Sequence, residues 1–396
     1  MPSLKHFNYL TELQRSGIFF QEPLAVTKHS PKEQMAYAVG AALYMPSTRS
    51  DLSSVILTKK YKELSTVIYC LEDSIKDSEV KLGEENIVLH MNKLAGALKR
   101  NEITESEIPL IFIRVRTPRQ MTILCEELED SVKWLAGFAF PKFSGSVAKE
   151  YCHTLAKLND QYDSVLYGMP IIETPDVLYK ETRMQSLLFI RDLLEQYKDR
   201  ILNVRIGATD FCGLFGIRRN VHSTIYDVSI IREVIADIIN IVGRHFVISG
   251  PVWEYFGTSD RILKPQLRES PFHDLGEEGK KFRTHLISSH IDGLIKETLL
   301  DITNGINGKT VIHPSHISIV QSLQVVSMEE YLDACSILDH NEFGVISSSY
   351  RNKMNEIKPH QRWAEKTLMK SKVYGVYHEK HSYIDLLSEL SPISAF

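Results

Sequence analysis

Several marks of specialised protein classes are missing from this chain. Its five cysteines, Cys70, Cys125, Cys152, Cys212 and Cys335, are scattered over 396 residues without a CxxC pair. Neither a zinc site nor a disulfide framework is suggested, and the setting to expect is reducing and cytoplasmic. No apolar run of about eighteen residues occurs, and the segment Met1 to Gln21 lacks the apolar stretch of a signal peptide, so no membrane span is expected. Basic residues are dispersed, and a formal net charge of −4 with a pI near 6.4 gives no electrostatic reason to expect nucleic acid. A glycine-rich first turn is also missing. Pro46-Ser47-Thr48-Arg49 stands where a dinucleotide-binding sheet would carry one.

What is present is a repeated beat of short apolar runs and amphipathic segments. With 43% hydrophobic residues the chain can bury a large core, as one large domain with additions or as two. The stretch from Met169 to Gly216 sets the pattern. Met169 to Glu173 and Asn203 to Asp210 are apolar runs that each stop at a carboxylate, with a helical segment from Asp176 to about Arg200 between them. The same beat predicts strands at Ala41–Pro46, Thr66–Leu71, Pro109–Val115, Trp134–Phe140, His245–Ser249 and Thr310–Ile312. Such nearly continuous apolar runs suit strands buried on both faces. Between them, Val228, Ile231, Ile235, Ile238 and Val242 recur at helical spacing, as do Leu187, Ile190, Leu194 and Tyr197. Thr117-Pro118 and Thr174-Pro175 read as helix starts, and Ser327 with Glu330 as a capping box.

Strands alternating with helices in this number predict a (β/α)8 TIM barrel, an α/β fold, over residues 39–325. Residues 1–38 read as an N-terminal extension and 326–396 as a C-terminal helical appendage, with a helix from Pro359 to Ser371. The polar segment from Gly257 to Lys280 reads as a lid over the barrel mouth.

In a parallel α/β protein the carboxyl ends of the strands open on one face, where ligands bind. Neighbouring strands lie roughly 4.8 Å apart, so acids at adjacent ends can share one hard cation. Glu173 and Asp210 are the candidate metal ligands, for Mg²⁺ with Mn²⁺ as the alternative; plain loop caps or ion pairs are the competing reading. The other strand ends carry Arg49, Glu72, Asp73, Arg114, Lys142 and His313. Acids beside bases in one cavity suit a divalent cation plus an anionic substrate. Of the two neighbouring arginines, Arg114 is expected to face the cavity and Arg116 to be structural. His313 is expected to serve its own turn, and Cys212 to pack.

These residues, in this order, resemble the citrate lyase β subunit and its malyl-CoA lyase relatives, in a divergent carbon–carbon lyase branch. Ala42-Leu43-Tyr44-Met45-Pro46-Ser47-Thr48-Arg49 is similar to the family's first strand and loop, and Tyr69-Cys70-Leu71-Glu72-Asp73-Ser74 to its second strand end. Ile113-Arg114-Val115, Phe140-Pro141-Lys142, Ile172-Glu173-Thr174 and Gly207-Ala208-Thr209-Asp210-Phe211 follow, and Asn307 to His316 resembles its Gly-Lys…Ile-His-Pro-Ser signature. Two departures stand out. Arg116 replaces the usual asparagine, and Lys353-Met354-Asn355-Glu356 replaces a motif that ends in aspartate.

The resemblance implies a Mg²⁺-dependent carbon–carbon lyase. It would cleave a β-hydroxy acyl compound to an enolate-derived acid or thioester and an α-keto acid, or run the reverse condensation. It implies Arg114 and Arg49 on carboxylate or enolate charge, Glu72 and Asp73 orienting them, and Lys142 binding anion. Glu356 is implied as the catalytic acid or base, supplied across a subunit boundary, with Asp73 as the other candidate. A small keto or hydroxy acid is the expected partner, with a homo-oligomer, a trimer or hexamer, as the assembly. No nucleotide motif shows whether coenzyme A carries the acyl group. A thioester hydrolase on the same metal site and a non-catalytic barrel subunit are the competing functions.

Overall fold

The computed structural model describes residues 6–162, 164–256, 291–339 and 344–389. A three-residue strand, β1 (Phe19–Gln21), precedes the main sheet. The sheet comprises β2 (Ala41–Pro46), β3 (Thr66–Cys70), β4 (Leu110–Arg114), β5 (Gly137–Phe140), β6 (Tyr167–Ile172), β7 (Val204–Ile206), β8 (Ile248–Ser249) and β9 (Lys309–Val311). Its order is β8-β7-β6-β5-β4-β3-β2-β9 and every pairing is parallel. Gly250 bridges Lys309, and Thr310 N donates to Gly250 O at 3.0 Å, which joins the two ends of the sheet. The barrel predicted from the sequence is the barrel observed.

Alternation along each strand divides the core in two. Leu43, Val67, Tyr69, Ile111, Ile113, Phe138 and Phe140 face outward and pack under the surrounding helices. Ala42, Ile68, Phe112, Ala139, Met169 and Ile171 face inward. The inward set is continuous with Phe7, Leu10, Phe19, Val373, Tyr374 and Tyr377 from the two ends of the chain. The barrel's amino-terminal end is thus plugged by the extension and the appendage together. β1 pairs antiparallel with β12 (Val376–Tyr377). Helix Ile357–Tyr374 packs on helix Lys32–Ala38, with Tyr374 Oη donating to Tyr37 O at 2.6 Å and Arg362 bonded to Arg244 O. The extension is therefore wrapped onto the end of the barrel.

Several boundaries differ from the sequence expectation for definable reasons. His245 and Phe246 are not in β8, because their amides bond Val242 O in the turn that ends helix Ser229–Ile241. Trp134 closes a 3-10 turn, Glu129–Trp134, ahead of β5. The helix expected from Asp176 is two helices, Pro175–Leu178 and Lys180–Gln196, broken at an extended Tyr179. Buried Arg183 donates to Val177 O and Leu178 O at the break and so satisfies carbonyls that the helix no longer serves. Thr117 caps its helix by accepting from Gln120 N, and Ser327 and Glu330 form the expected box. Thr174 does not cap: its hydroxyl is buried without a partner. The predicted lid, 257–280, lies outside the described residues.

On the outer face of β9, buried Lys309 pairs with Asp301 at 2.6 Å and Glu297 at 3.0 Å. Glu297 also holds Arg219, and Tyr226 Oη donates to Asp301 at 2.7 Å. This closed network ties the last strand to helix Asp292–Thr303. The glycine-lysine pair Gly308-Lys309, read above as a signature, is an element of barrel closure.

Candidate active site

At the carboxyl ends of the strands the structure gathers Glu72, Asp73, Arg114, Lys142, Glu173 and Asp210. Arg114 is the last residue of β4 and points inward, level with Cys70 at the end of β3. Its Nη2 alone serves three acids: Glu72 at 2.6 Å, Asp73 at 3.1 Å and Glu173 at 3.2 Å. Lys142 closes the other side, with Nζ on Glu72 Oε1 at 2.6 Å and its backbone N–H on Glu173 Oε1 at 2.8 Å.

Glu173 follows β6 directly and its side chain is almost wholly buried. It lies against the backbone of Gly207: a Cβ there would stand 2.3 Å from Glu173 Oε2. The glycine before Ala208-Thr209-Asp210 is thus required by close approach. Asp210 is not at a strand end, as the apolar run suggested. It sits in the first turn of helix Ala208–Leu214, because Gly207 turns the chain out of β7. The helix turn carries its carboxyl back to Glu173, within hydrogen-bonding reach.

The electrostatics follow from burial and crowding. Burial pushes Glu173 up to about 8, with the Asp210 charge adding to the rise against the pull of Arg114. Asp210 is also raised, by burial first and then by the Asp73 charge. Glu72 is raised by burial and its bond with Asp73. Asp73 is half-exposed; burial opposes its ionisation, yet the bond with Glu72 and the charges of Arg114 and Lys142 hold it below the usual carboxylate range. Four carboxyls against two cations leave an excess of negative charge, and two of those carboxyls crowd each other out of water. Such a donor set fits a divalent cation. Among the described residues no three His, Cys, Asp or Glu side chains converge into a ready cage for a metal ion.

The remaining candidates have other partners. Arg49 is forked onto Asp51 at 2.8 Å through both Nε and Nη2, and Asp51 also holds Lys60. Arg116 donates to Leu71 O, Glu72 O and Ile75 O and pairs with Asp77, so it fastens the loop that carries Glu72 and Asp73. His313 stacks on Phe256 at 4.5 Å and bonds Ser315, within its own turn. Cys212 is buried. Glu356 ends β11 (Met354–Glu356), which pairs with β10 (Val345–Ser347) in a hairpin of the appendage. Its N–H bonds His360 Nδ1. The helix that follows it packs at the amino-terminal side of the barrel, so within one chain Glu356 is not brought to the cluster. Register places Glu356 on the same hairpin face as Val345 and Met354, both largely exposed.

Two inward residues escaped the sequence reading: Tyr44 of β2 and Arg205 of β7. The signal was there, since Asn203 and Arg205 alternate with Val204 and Ile206 in a strand buried throughout.

A model of the C-C bond lyases of the TIM-barrel fold matches residues 33–376. The chain belongs to that family. It is an enzyme of the carbon–carbon lyase type. No curated protein matches it in sequence. Among solved structures, a citrate lyase from Burkholderia xenovorans LB400 is similar with a TM-score of 0.59 at 13% identity, over 89% of this chain and 96% of that one. The CitE protein of Mycobacterium tuberculosis, in complex with magnesium, acetoacetate and coenzyme A, gives 0.49 at 15% identity, over 84% and 97%. The citrate lyase β subunit of the same organism, with oxaloacetate and magnesium, gives 0.42 at 14%, over 72% and 97%. At these identities the likeness is one of fold. Among the described residues no helix is long and apolar enough to cross a membrane.

Proposed function

We propose that this lyase is Mg²⁺-dependent and cleaves a β-hydroxy acyl compound into an enolate-derived acid or thioester and an α-keto acid, or joins them in reverse. The observation that supports this most is the buried, mutually crowded pair Glu173 and Asp210 beside Arg114. Those two acids would hold Mg²⁺, or Mn²⁺ in its place, and the ion when bound supplies positive charge to the carboxylate and carbonyl oxygens of the keto acid. In cleavage the hydroxyl proton leaves, the carbon–carbon bond breaks, and its electron pair becomes an enolate that takes up a proton. Arg114 would hold the enolate oxygen, and its planar fork suits a delocalised anion. Asp73, ionised and half-exposed, is the second candidate for the acid–base role. Glu72 and Lys142 position these two.

Glu356 enters this scheme from a neighbouring copy. Its exposed hairpin face, with Val345 and Met354, suits docking against another subunit, so the active form is a homo-oligomer, a trimer or dimer of trimers. Sedimentation of the parent as a monomer at micromolar concentration would remove Glu356 from the mechanism. The reaction itself is tested by incubating the protein with Mg²⁺ and a panel of β-hydroxy acids and their coenzyme A thioesters. A lyase releases a keto acid, detected as its hydrazone; release of free thiol without keto acid would make it a thioester hydrolase.

A further inference from the structure

Lys142 stands in the chain between two buried aromatic residues, Phe140 at the end of β5 and Phe143. Both rings stack on Tyr151, in the second turn of helix Gly145–Gln161. The Phe140 and Tyr151 centroids are 4.7 Å apart with their planes at 14°, and those of Phe143 and Tyr151 are 6.5 Å apart at 29°. Phe140 and Phe143 lie 6.2 Å apart at 17°. All three residues are fully buried. Gly168 of β6 makes room for the group: a Cβ there would stand 2.4 Å from Phe140 Cε2. The amide of Phe143 donates to Ile171 O at 3.2 Å, which ties the far side of the turn to β6.

Lys142 is in the left-handed region, φ 49°, where a side chain is disfavoured. A residue keeps such a conformation when its surroundings over-determine it. The bond from Nζ to Glu72 does little toward that, since the lysine side chain is 57% exposed and water weakens the pair. The flanking rings are the rigid part. Held on one tyrosine, Phe140 and Phe143 fix the chain as it enters and leaves Lys142. The Tyr151 hydroxyl is buried with no partner among the described residues, so the ring carries this role and the hydroxyl adds nothing to it.

We infer that Tyr151 is a positioning residue for the acids at the barrel mouth: by bracing Phe140 and Phe143 it keeps Lys142 left-handed, which aims the lysine N–H at Glu173 and its Nζ at Glu72. It acts through Lys142, from the helix layer outside the barrel. The inference rests on the reading of Glu173 as a metal ligand and names what holds that ligand in place.

The test is calorimetric titration with Mg²⁺, paired with thermal melting. Tyr151→Phe should bind Mg²⁺ as the parent does and melt at or above it, since only an unpartnered hydroxyl is lost. Tyr151→Leu should bind roughly 10–100-fold more weakly. Phe143→Leu, which removes one of the two flanking rings, should fall between them and guards against a misfolded first variant. Leu94→Ala is the control for general loosening: Leu94 is buried late in helix Val80–Lys99, and its variant should melt below the parent yet bind Mg²⁺ equally well. Glycine accepts φ 49° without strain, so in a Lys142→Gly background Tyr151→Leu should cost much less affinity than it does in the parent. Parental affinity in Tyr151→Leu overturns the inference and leaves the metal reading standing. So does a loss in Leu94→Ala equal to that in Tyr151→Leu, or a Tyr151→Phe variant as weak as Tyr151→Leu. An undiminished loss in the Lys142→Gly background also overturns it, because the tyrosine would then act by another route. Failure of the parent to bind Mg²⁺ overturns the metal reading and this inference with it.

Discussion

The backbone N–H of Lys142 donates to Glu173 Oε1 at 2.8 Å from a left-handed conformation, φ 49°. A non-glycine residue in that region costs on the order of 1–2 kcal/mol. The same twist sends the lysine side chain to Glu72 at 2.6 Å. One strained residue therefore fixes two of the four acids, and the orientation of Glu173 is set before any ligand arrives.

Metal binding is the first expectation. Glu173→Gln and Asp210→Asn should each abolish calorimetric Mg²⁺ binding without unfolding the barrel. Because burial holds the Glu173 pKa near 8, the carboxyl must shed a proton to ligate. Affinity should rise with pH up to about that value, with proton release seen in buffers of differing ionisation enthalpy. Parent-like binding by both variants would displace the site.

Gly207→Ala should impair the site at a distance from any ligand. Its new Cβ would stand 2.4 Å from Glu173 Cβ and 2.3 Å from Oε2, so Glu173 must move. Mg²⁺ affinity should fall by roughly the 10–100-fold typical of lost support around a metal ligand, while circular dichroism stays parental. Unchanged affinity would show that Glu173 has freedom the packing denies.

Arg114 and Glu356 separate by assembly. Arg114→Lys should slow cleavage by roughly 10²–10³-fold, because an ammonium cannot replace the fork. Glu356→Gln should cost roughly 10²–10⁴-fold with little change in Mg²⁺ affinity. Mixing Glu356→Gln with Arg114→Lys protomers should restore part of the activity if the glutamate serves a neighbour. No recovery, together with parental single-turnover rates for Glu356→Gln, would shift the acid–base role to Asp73.

His6 should govern acid stability. It is buried, stacked on Tyr374 at 4.5 Å, and burial draws its pKa down to about 4 against a weaker opposing effect of Gln321. A depressed folded pKa means that the unfolded chain takes up the proton first. The stabilisation is therefore complete above about pH 6.5 and is lost as pH falls toward 4. By pH 5 the parent should lose on the order of 2 kcal/mol more than His6→Phe does, in urea titrations. Equal acid sensitivity of the two proteins would refute this.

The sequence by itself determined the barrel and most of the acids and bases at its mouth. Those features are written locally: an apolar run, a charged residue where it stops, a helix with the right spacing. Strand alternation did not part Arg114 from Arg116, since residues two apart share a face; β4 ends at Arg114, and Arg116 turns instead to the carbonyls of the loop that carries Glu72 and Asp73. Only the tertiary structure decided who pairs with whom. Arg49 was legible as a rim cation but not as the partner of Asp51, since a strand end does not say where a long side chain folds. The turn at Gly207 moved Asp210 from a strand end into a helix and still returned it to Glu173. The amides of His245 and Phe246, claimed by the preceding helix, shortened a strand that apolar content alone had extended. Helix Ile357–Tyr374 plugs the barrel through contacts with residues more than three hundred positions away, such as Tyr37. Pairings at that separation leave no periodicity to read. They are chosen by which buried surfaces and charges find partners, and Arg205, buried with no acid on it among the described residues, became visible only when the partners could be counted.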